Sequence, residues 1–293
     1  MKSRKLPFFD WFVALIFLFL CFITVYPFVY AFAYSVSDGL LAAQRNVVFL
    51  PQGFTLQNYQ LIFSDNRVAT AALISVSRTV LGTFLFIIVT GLCAYAMSKQ
   101  RLIGRKVIFI FFVIPMYVSG GLIPFYMLIH DLGLFNNFLV YVLPACFATF
   151  YMFLMKVYLE TIPESLEESA MLDGAGEVQV AFRIYLPLSK PVIATVALFI
   201  GVGQWNNWFD ALLFVSNKEL HPLQMVLQTI LRETQIDSVI QVFQMSMSQK
   251  KVTISPETYK MAVLIITTLP IIFVYPFAQK YFVKGMTIGA VKM

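Results

Sequence analysis

Charge is what this sequence has least of. Asp, Glu, Lys and Arg make up 12% of its 293 residues, about half of the roughly 25% that soluble domains carry. That shortage argues against a water-soluble globule. Histidine is scarcer still, at His130 and His221 only, and no His, Cys, Asp and Glu stand at metal-ligand spacing, so no metal site is expected. The three cysteines, Cys21, Cys93 and Cys146, all fall inside apolar stretches, which indicates no disulfide framework. No G-x-x-x-x-G-K-S/T run occurs, so the chain lacks a Walker-type cradle for nucleotide phosphates. No residue set suggests nucleophilic or acid–base catalysis. The chain reads as no enzyme, with no cofactor of its own, and any energy must come from a partner.

Apolar residues fill the space that charge leaves. They make up 59% of the chain, and the mean hydropathy is +0.79. Six stretches are predicted to cross a membrane, over about 11–33, 69–97, 107–129, 134–155, 191–215 and 259–282, against the ~20 residues that a bilayer core needs. The expected fold is an all-α integral membrane protein forming one transmembrane domain over 1–293. The first run exceeds the ~7–15 residues of a signal-peptide core and is read as a retained helix. A cleaved signal ending at Ala31-Phe32-Ala33 is the alternative.

The net charge of +6 is placed for topology rather than for nucleic acid. Lys2, Arg4 and Lys5 precede the first span, and Lys99, Arg101, Arg105 and Lys106 crowd the loop between spans two and three. The loop between spans three and four has no basic residue. By the positive-inside rule both termini and the 160–187 loop are expected to be cytoplasmic.

That loop, ETIPESLEESAMLDGAGEVQVAFRIYLP, is the polar segment with most structure of its own. Thr161 with Glu164 matches a capping box. Glu164, Glu167 and Glu168 sit where a helix dipole favours negative charge. Ile162, Leu166 and Ala170 form a narrow apolar stripe, and Gly174 supplies a helix stop. After the turn at Ala175-Gly176, a second short helix is expected from Glu177 to Arg183. The segment is thus a helix–turn–helix knuckle; a plain solvated loop is the alternative.

Glu168-Ser169-Ala170, three residues, Gly174, nine residues and Ile184-Tyr185-Leu186-Pro187 resemble the E-A-A…G…I-x-L-P loop of permease subunits in binding-protein-dependent ABC importers. Serine stands where that loop has its first alanine. Asp173-Gly174-Ala175-Gly176 and Leu186-Pro187-Leu188 are similar to the carbohydrate branch of the family. The tail Gln279-Lys-Tyr-Phe-Val-Lys284-Gly285-Met-Thr-Ile-Gly289-Ala-Val-Lys292 resembles that of the second permease of maltose-type systems. The resemblance implies a type I ABC importer permease fold, set in a bacterial cytoplasmic (inner) membrane, with a cytoplasmic coupling helix docked on an ATPase. It implies coupling roles for Glu164, Glu167, Glu168, Ser169, Ala170, Asp173, Gly174, Ala175, Gly176, Leu186 and Pro187. The 283–293 tail, with Lys284, Gly285, Gly289 and Lys292, is implied to reach the interface between the ATPases. The implied partners are a homologous second permease, two ATP-binding subunits holding ATP and Mg, an extracytoplasmic solute-binding protein, a saccharide and membrane lipid.

Two polar features inside spans are candidates for the substrate pathway, because lipid makes them costly. Gln204, Trp205, Asn206, Asn207, Trp208 and Asp210 offer amides, a carboxylate and indole faces, which suit sugar hydroxyls and ring C–H groups. Interfacial tryptophans with interhelical amide bonds are the competing reading. Arg78 either pairs with Asp210 or awaits an anion, such as a uronate-type saccharide like alginate. Two other functions remain open at this point: the same ABC role for a non-sugar solute, and an ATPase-independent secondary transporter, for which no matching halves are visible.

Overall fold

A computed structural model describes residues 8–44, 47–64, 66–232 and 255–290, the last with side chains to 276. Among these residues the structure is helical, with no strand beyond an isolated bridge between Ser37 and Phe54. The chain divides into two compact units, with boundaries at Val68, Leu227 and Leu269.

The first unit holds α1 (Phe8–Ser35), α2 (Gly39–Gln44), α3 (Gln57–Ser64) and the start of the last helix. α1 is apolar on every side, and the greater part of it is unburied within the chain. Such a helix suits lipid or a partner rather than water. At its end Asn58, fully buried, donates Nδ2 to the carbonyl of Ser35 at 2.8 Å and accepts from the Thr258 hydroxyl at 3.1 Å. This polar knot fastens the start of α3 and the start of the last helix to the end of α1.

The second unit is built on α4 (Asn66–Ser98), which begins just before it. α5 (Arg105–Tyr117) and α6 (Leu122–Asp131) follow, bent by 114° to one another. The expected continuous span over 107–129 is therefore broken. Ser119-Gly120-Gly121 causes this: Gly121 has φ +86, a conformation that favours glycine and ends the helix. The expected span over 134–155 is also mostly irregular, with a 3₁₀ turn at Phe138–Tyr141 and then α7 over Thr149–Leu159. Pro144 lies between them and disfavours helix at the residue before it.

The knuckle contributes α8 (Ser165–Leu172) and α9 (Glu177–Val180), the latter running on through a π turn at Ala181–Tyr185 to Leu188. An 80° bend at Ser189 leads into α10 (Lys190–Asn206). The fifth expected span, 191–215, stops at Asn207 and restarts as α11 (Phe209–Phe214). Asn207 explains the break: its Oδ1 accepts from the Phe209 N–H at 3.1 Å, a local bond that competes with helix. A helix over 223–232 (α12) and α13 (Pro256–Ala290) complete the chain. α13 carries the expected 259–282 span and extends to Ala290, into the expected 283–293 tail.

Among the described residues, three helices are long and apolar enough to cross a membrane, or up to five if each bent pair counts as one span. α7 is a shorter apolar helix besides. The core of the second unit gathers Phe86, Ala94 and Met97 of α4, Met152 and Met155 of α7, Val180 and Tyr185 of the knuckle and Val196 of α10. Burial of these apolar side chains, each worth about 1.5–3 kcal/mol, seats the knuckle against the ends of the membrane helices.

Candidate functional site

The knuckle starts one turn later than its capping pattern suggests. The Thr161 hydroxyl donates backwards to the carbonyl of Tyr158 at 2.7 Å. Glu164 is the N-cap residue of α8, in helical conformation and without a side-chain cap bond. The expected box between Thr161 and Glu164 therefore does not form. The stop at Gly174 does, with φ +86. The Gly174 N–H donates to Met171 O at 3.0 Å and the Ala175 N–H to Ala170 O at 2.9 Å, the paired bonds of a Schellman ending. At Gly176 the backbone N–H donates to Gln179 Oε1 at 3.4 Å, which opens α9.

The buried face of α8 also differs from the predicted stripe. Ile162, Ala170, Met171 and Ala175 pack on the core, whereas Leu166 is 44% exposed. Glu167 takes the inward position and is 6% exposed. A carboxylate buried so far needs partners, and it has three. Lys99 Nζ and the Tyr185 hydroxyl (2.8 Å) both donate to Oε2, and Arg101 Nη2 donates to Oε1 at 2.6 Å. Lys99 itself lies 4.2 Å from the Tyr95 ring centre and 3.8 Å from that of Tyr185, within cation–π range. Arg101 also reaches Glu177 Oε1 at 2.5 Å, and the Tyr95 hydroxyl donates to Glu177 Oε2 at 3.1 Å. Burial alone would raise the Glu167 carboxyl, but the Lys99 and Tyr185 bonds and the charges of Lys99 and Arg101 hold it below its ordinary value. Burial, then the bond to Glu167, push the Tyr185 hydroxyl up.

The remaining coupling candidates lie at the surface, and Glu164 and Glu168 line a small pocket with Lys99, Arg101 and Glu167. Glu164, Glu168, Ser169, Asp173, Gly174 and Gly176 are exposed, as are Leu186 and Pro187. Beside them Leu172 is 89% exposed and Val178 71% exposed. Large apolar side chains on an otherwise polar outer face mark a contact surface.

A second charged cluster forms where α10 breaks. Arg78 is fully buried, and each of its N–H groups has an acceptor. Nε and Nη2 donate to Gln204 Oε1 at 3.3 and 3.1 Å, and Nη1 to Asn207 O at 3.0 Å. Nη1 and Nη2 also donate to the Asp210 carboxylate at 3.2 and 2.5 Å. The guanidinium lies 4.4 Å from the Tyr141 ring centre, and Gln204 Nε2 donates to Tyr141 O at 3.2 Å. Of the two readings the sequence left open for Arg78, the geometry is the ion pair with Asp210. Gly82 admits the Gln204 side chain, since a Cβ there would stand 2.8 Å from Gln204 Nε2.

This lock sorts the substrate-pathway candidates. Arg78, Gln204 and Asp210 are committed to each other, and Trp205 is buried, lining a small apolar cavity of about 220 Å³ with Val76, Thr79 and Gly201. Asn206 and Asn207 are exposed and Trp208 half-buried at the break. Asn206 Oδ1 accepts from Gln224 at 3.2 Å. In the tail, Lys284, Gly285 and Gly289 belong to the last turns of α13, and Lys292 lies outside the described residues. Lys99, Arg101, Tyr95 and Tyr185 were missed as site residues. Their positions counted only as loop charge and as part of the I-x-L-P pattern, and nothing in the spacing linked Lys99 to Glu167.

A helical membrane domain with a helix–turn–helix knuckle between its apolar helices is what a transporter permease presents, and the comparisons with known proteins give the class. The model of the binding-protein-dependent transport system inner membrane component family matches residues 84–288. The chain belongs to that family, whose members are the membrane-embedded permease components of ABC importers. Among curated relatives, Protein LplC of Bacillus subtilis (strain 168) is 41% identical over 92% of this chain and 90% of its own length. The polygalacturonan/rhamnogalacturonan transport system permease protein YtcP of the same organism is 35% identical over the full length of both chains. Among solved structures, a chain of a bacterial ABC transporter involved in the import of the acidic polysaccharide alginate superposes with a TM-score of 0.86 at 30% identity. That match covers 96% of this chain and 99% of the other.

Proposed function

We propose that this chain is one of two related permease subunits of an ATP-driven, binding-protein-dependent importer of a sugar or oligosaccharide. Two ATP-binding subunits carrying ATP and Mg grip the knuckle from the cytoplasm, and a solute-binding protein delivers the saccharide from the other side. Both termini are cytoplasmic, as the basic loop at residues 99–106 suggests. The observation that carries the coupling role is the two-sided knuckle. Its inner face is tied down through Glu167, while Leu166, Leu172 and Val178 stand out from its outer face beside Glu168. Closure of the ATPases pushes the knuckle, and the membrane helices switch the access of a central cavity. The 283–293 tail, with Lys284, Gly285, Gly289 and Lys292, adds a second ATPase contact. Asn206, Asn207 and Trp208 line the saccharide path at the helix break, held there by Arg78, Gln204 and Asp210.

An acidic, uronate-type saccharide is the favoured cargo, because relatives named for polygalacturonan and alginate transport share most of this chain's length. Arg78 does not supply the recognising cation, since Asp210 already neutralises it.

Reconstitution of the complete complex in proteoliposomes tests the reading. ATP-dependent uptake of labelled oligogalacturonate is expected, and uptake that persists without ATP sinks it. Gly174→Arg places a long side chain on the docking face at φ +86, at a local cost of about 1–2 kcal/mol. Membrane insertion should survive and ATP-driven uptake should be lost. Normal uptake by that variant removes the coupling role of the knuckle.

A further inference from the structure

We infer that Lys99 and Arg101, through Glu167, fix the knuckle rigidly to the end of α4, so that this helix carries the coupling stroke into the membrane. The step rests on the importer reading proposed above and adds positioning residues to it.

The geometry has three parts. First, the tie is bidentate and two-layered. Glu167 of α8 receives Lys99 on one oxygen and Arg101 on the other, and Arg101 continues to Glu177 of α9. Both helices of the knuckle are therefore held by the residues that follow α4, not by one helix alone. Second, the tie is enclosed on its inner side. Lys99 is sandwiched between Tyr95 of α4 and Tyr185 of the π turn, and its side chain is 13% exposed. Screening by salt is weak for a pair so covered. Third, the Arg78 lock sits further along the same helix. About six helical turns separate Arg78 from Lys99, roughly 30 Å along the helix axis. Arg78 grips Asn207 O and Asp210 at the break of α10. A push on the knuckle is thus delivered by α4 to the helix break, with a charged fastening at each end of this path. A helix is a stiff element, and a contiguous chain of packed groups with fixed ends is what mechanical coupling requires.

A rigid tie makes a prediction that a merely stabilising contact does not. Parts that move as one body throughout the cycle tolerate a covalent bond between them, whereas parts that separate are arrested by it. The complex is prepared with Cys21, Cys93 and Cys146 replaced by serine and with Lys99→Cys and Glu167→Cys introduced. A short methanethiosulfonate linker then joins the two thiols reversibly. Unlinked, the complex should lose coupled uptake by roughly tenfold, the size of a typical coupling free energy. Linked, it should return to the level of the cysteine-free parent, and reduction should remove that gain.

Arrest on linking, with turnover when reduced, overturns the inference, as does full uptake without the linker. Loss in both states also overturns it, because a covalent tie then fails to replace the ionic one. If the cysteine-free parent shows no ATP-dependent uptake while the native complex does, the same pair is placed in the native-cysteine chain and the comparison repeated there. If the native complex shows none, the importer reading itself falls and the inference with it. Glu167→Gln gives an independent readout. Spin labels at exposed Leu172 and at Leu92 of α4 should show one narrow distance in the parent and a broadened one in the variant. An unchanged distribution counts against the tie.

Discussion

Two arginine–carboxylate clusters sit along the same helix and do opposite work. Around Arg78 the guanidinium is fully buried and every N–H has an acceptor. Around Glu167 the enclosed group is the carboxylate, while Arg101 keeps 54% of its side chain exposed. The first cluster lies inside an apolar span, where an unpaired charge has nowhere to go. The second lies at the rim, where water can replace a lost partner. The same chemistry is therefore sealed on all sides in one place and open to water on one side in the other. Full enclosure suits the helix break that shapes a path, and a tie with one solvated partner suits a joint outside the apolar span.

The largest expected effect comes from breaking the lock on one side. Arg78→Met strands Asp210, Gln204 and the carbonyl of Asn207, and losing one partner of a buried pair costs about 3–5 kcal/mol. Folded yield in detergent should fall steeply. Arg78→Met combined with Asp210→Leu should recover much of the loss, because no charge is then left unpaired. Thermal unfolding of the two variants gives the comparison. Equal stability of the single and double variants would show that the pair is not the reason for the burial.

A smaller effect is expected from crowding the lock rather than cutting it. The Cβ in Gly82→Ala would stand 2.8 Å from Gln204 Nε2 and 3.0 Å from its Cδ. The amide has to move, and it bridges Arg78 and Tyr141 O. A loss of about 1–3 kcal/mol is expected, the cost of a buried polar group left without its partner. Gly203→Ala is the control, since its Cβ meets nothing within 4 Å and alanine favours helix. It should be neutral or slightly stabilising. If the two substitutions shift the unfolding temperature alike, the close approach at Gly82 carries no weight.

Much of this was legible in the sequence, for reasons that differ by residue. Long apolar helices such as α1 and α4 were visible because lipid demands long runs, and Gly174 because a left-handed helix ending favours glycine. The breaks were not visible. Hydropathy counts apolar residues and is blind to Gly121 at φ +86, to the turn around Pro144 and to the Asn207 side chain that ends α10. Arg78, Gln204 and Asp210 stood out as costly residues, but Tyr141 completes their shell from a segment that no local pattern joins to them. Glu167 was read only in part: it does lie in the first turn of α8, but its inward orientation has no local signal. On pattern it belongs with Glu164 and Glu168 as helix-start charge. Only the approach of Lys99 and Arg101, from a loop far earlier in the chain, turns it inward.

Acid gives the smallest effect and the finest test of the contrast between the two clusters. The Glu167 carboxyl titrates below its ordinary value of 4.5, so the folded knuckle binds this proton less readily than an unfolded one does. The stabilisation from the carboxylate is therefore complete above that ordinary value and is lost as pH falls through the lower, folded value. Near neutrality the knot is intact, and modest acidification should leave it so. Below pH 4.5 the distance between spin labels at Leu172 and Leu92 should begin to spread. In Glu167→Gln the distribution should already be broad and should lose this component of its acid response. The Arg101–Glu177 pair is about half exposed on both sides and adds only about 0.2–1 kcal/mol, so Glu177→Gln should leave most of the acid transition in place. An acid response unchanged by Glu167→Gln would assign the transition to another carboxylate and leave the inward-facing glutamate without a mechanical role.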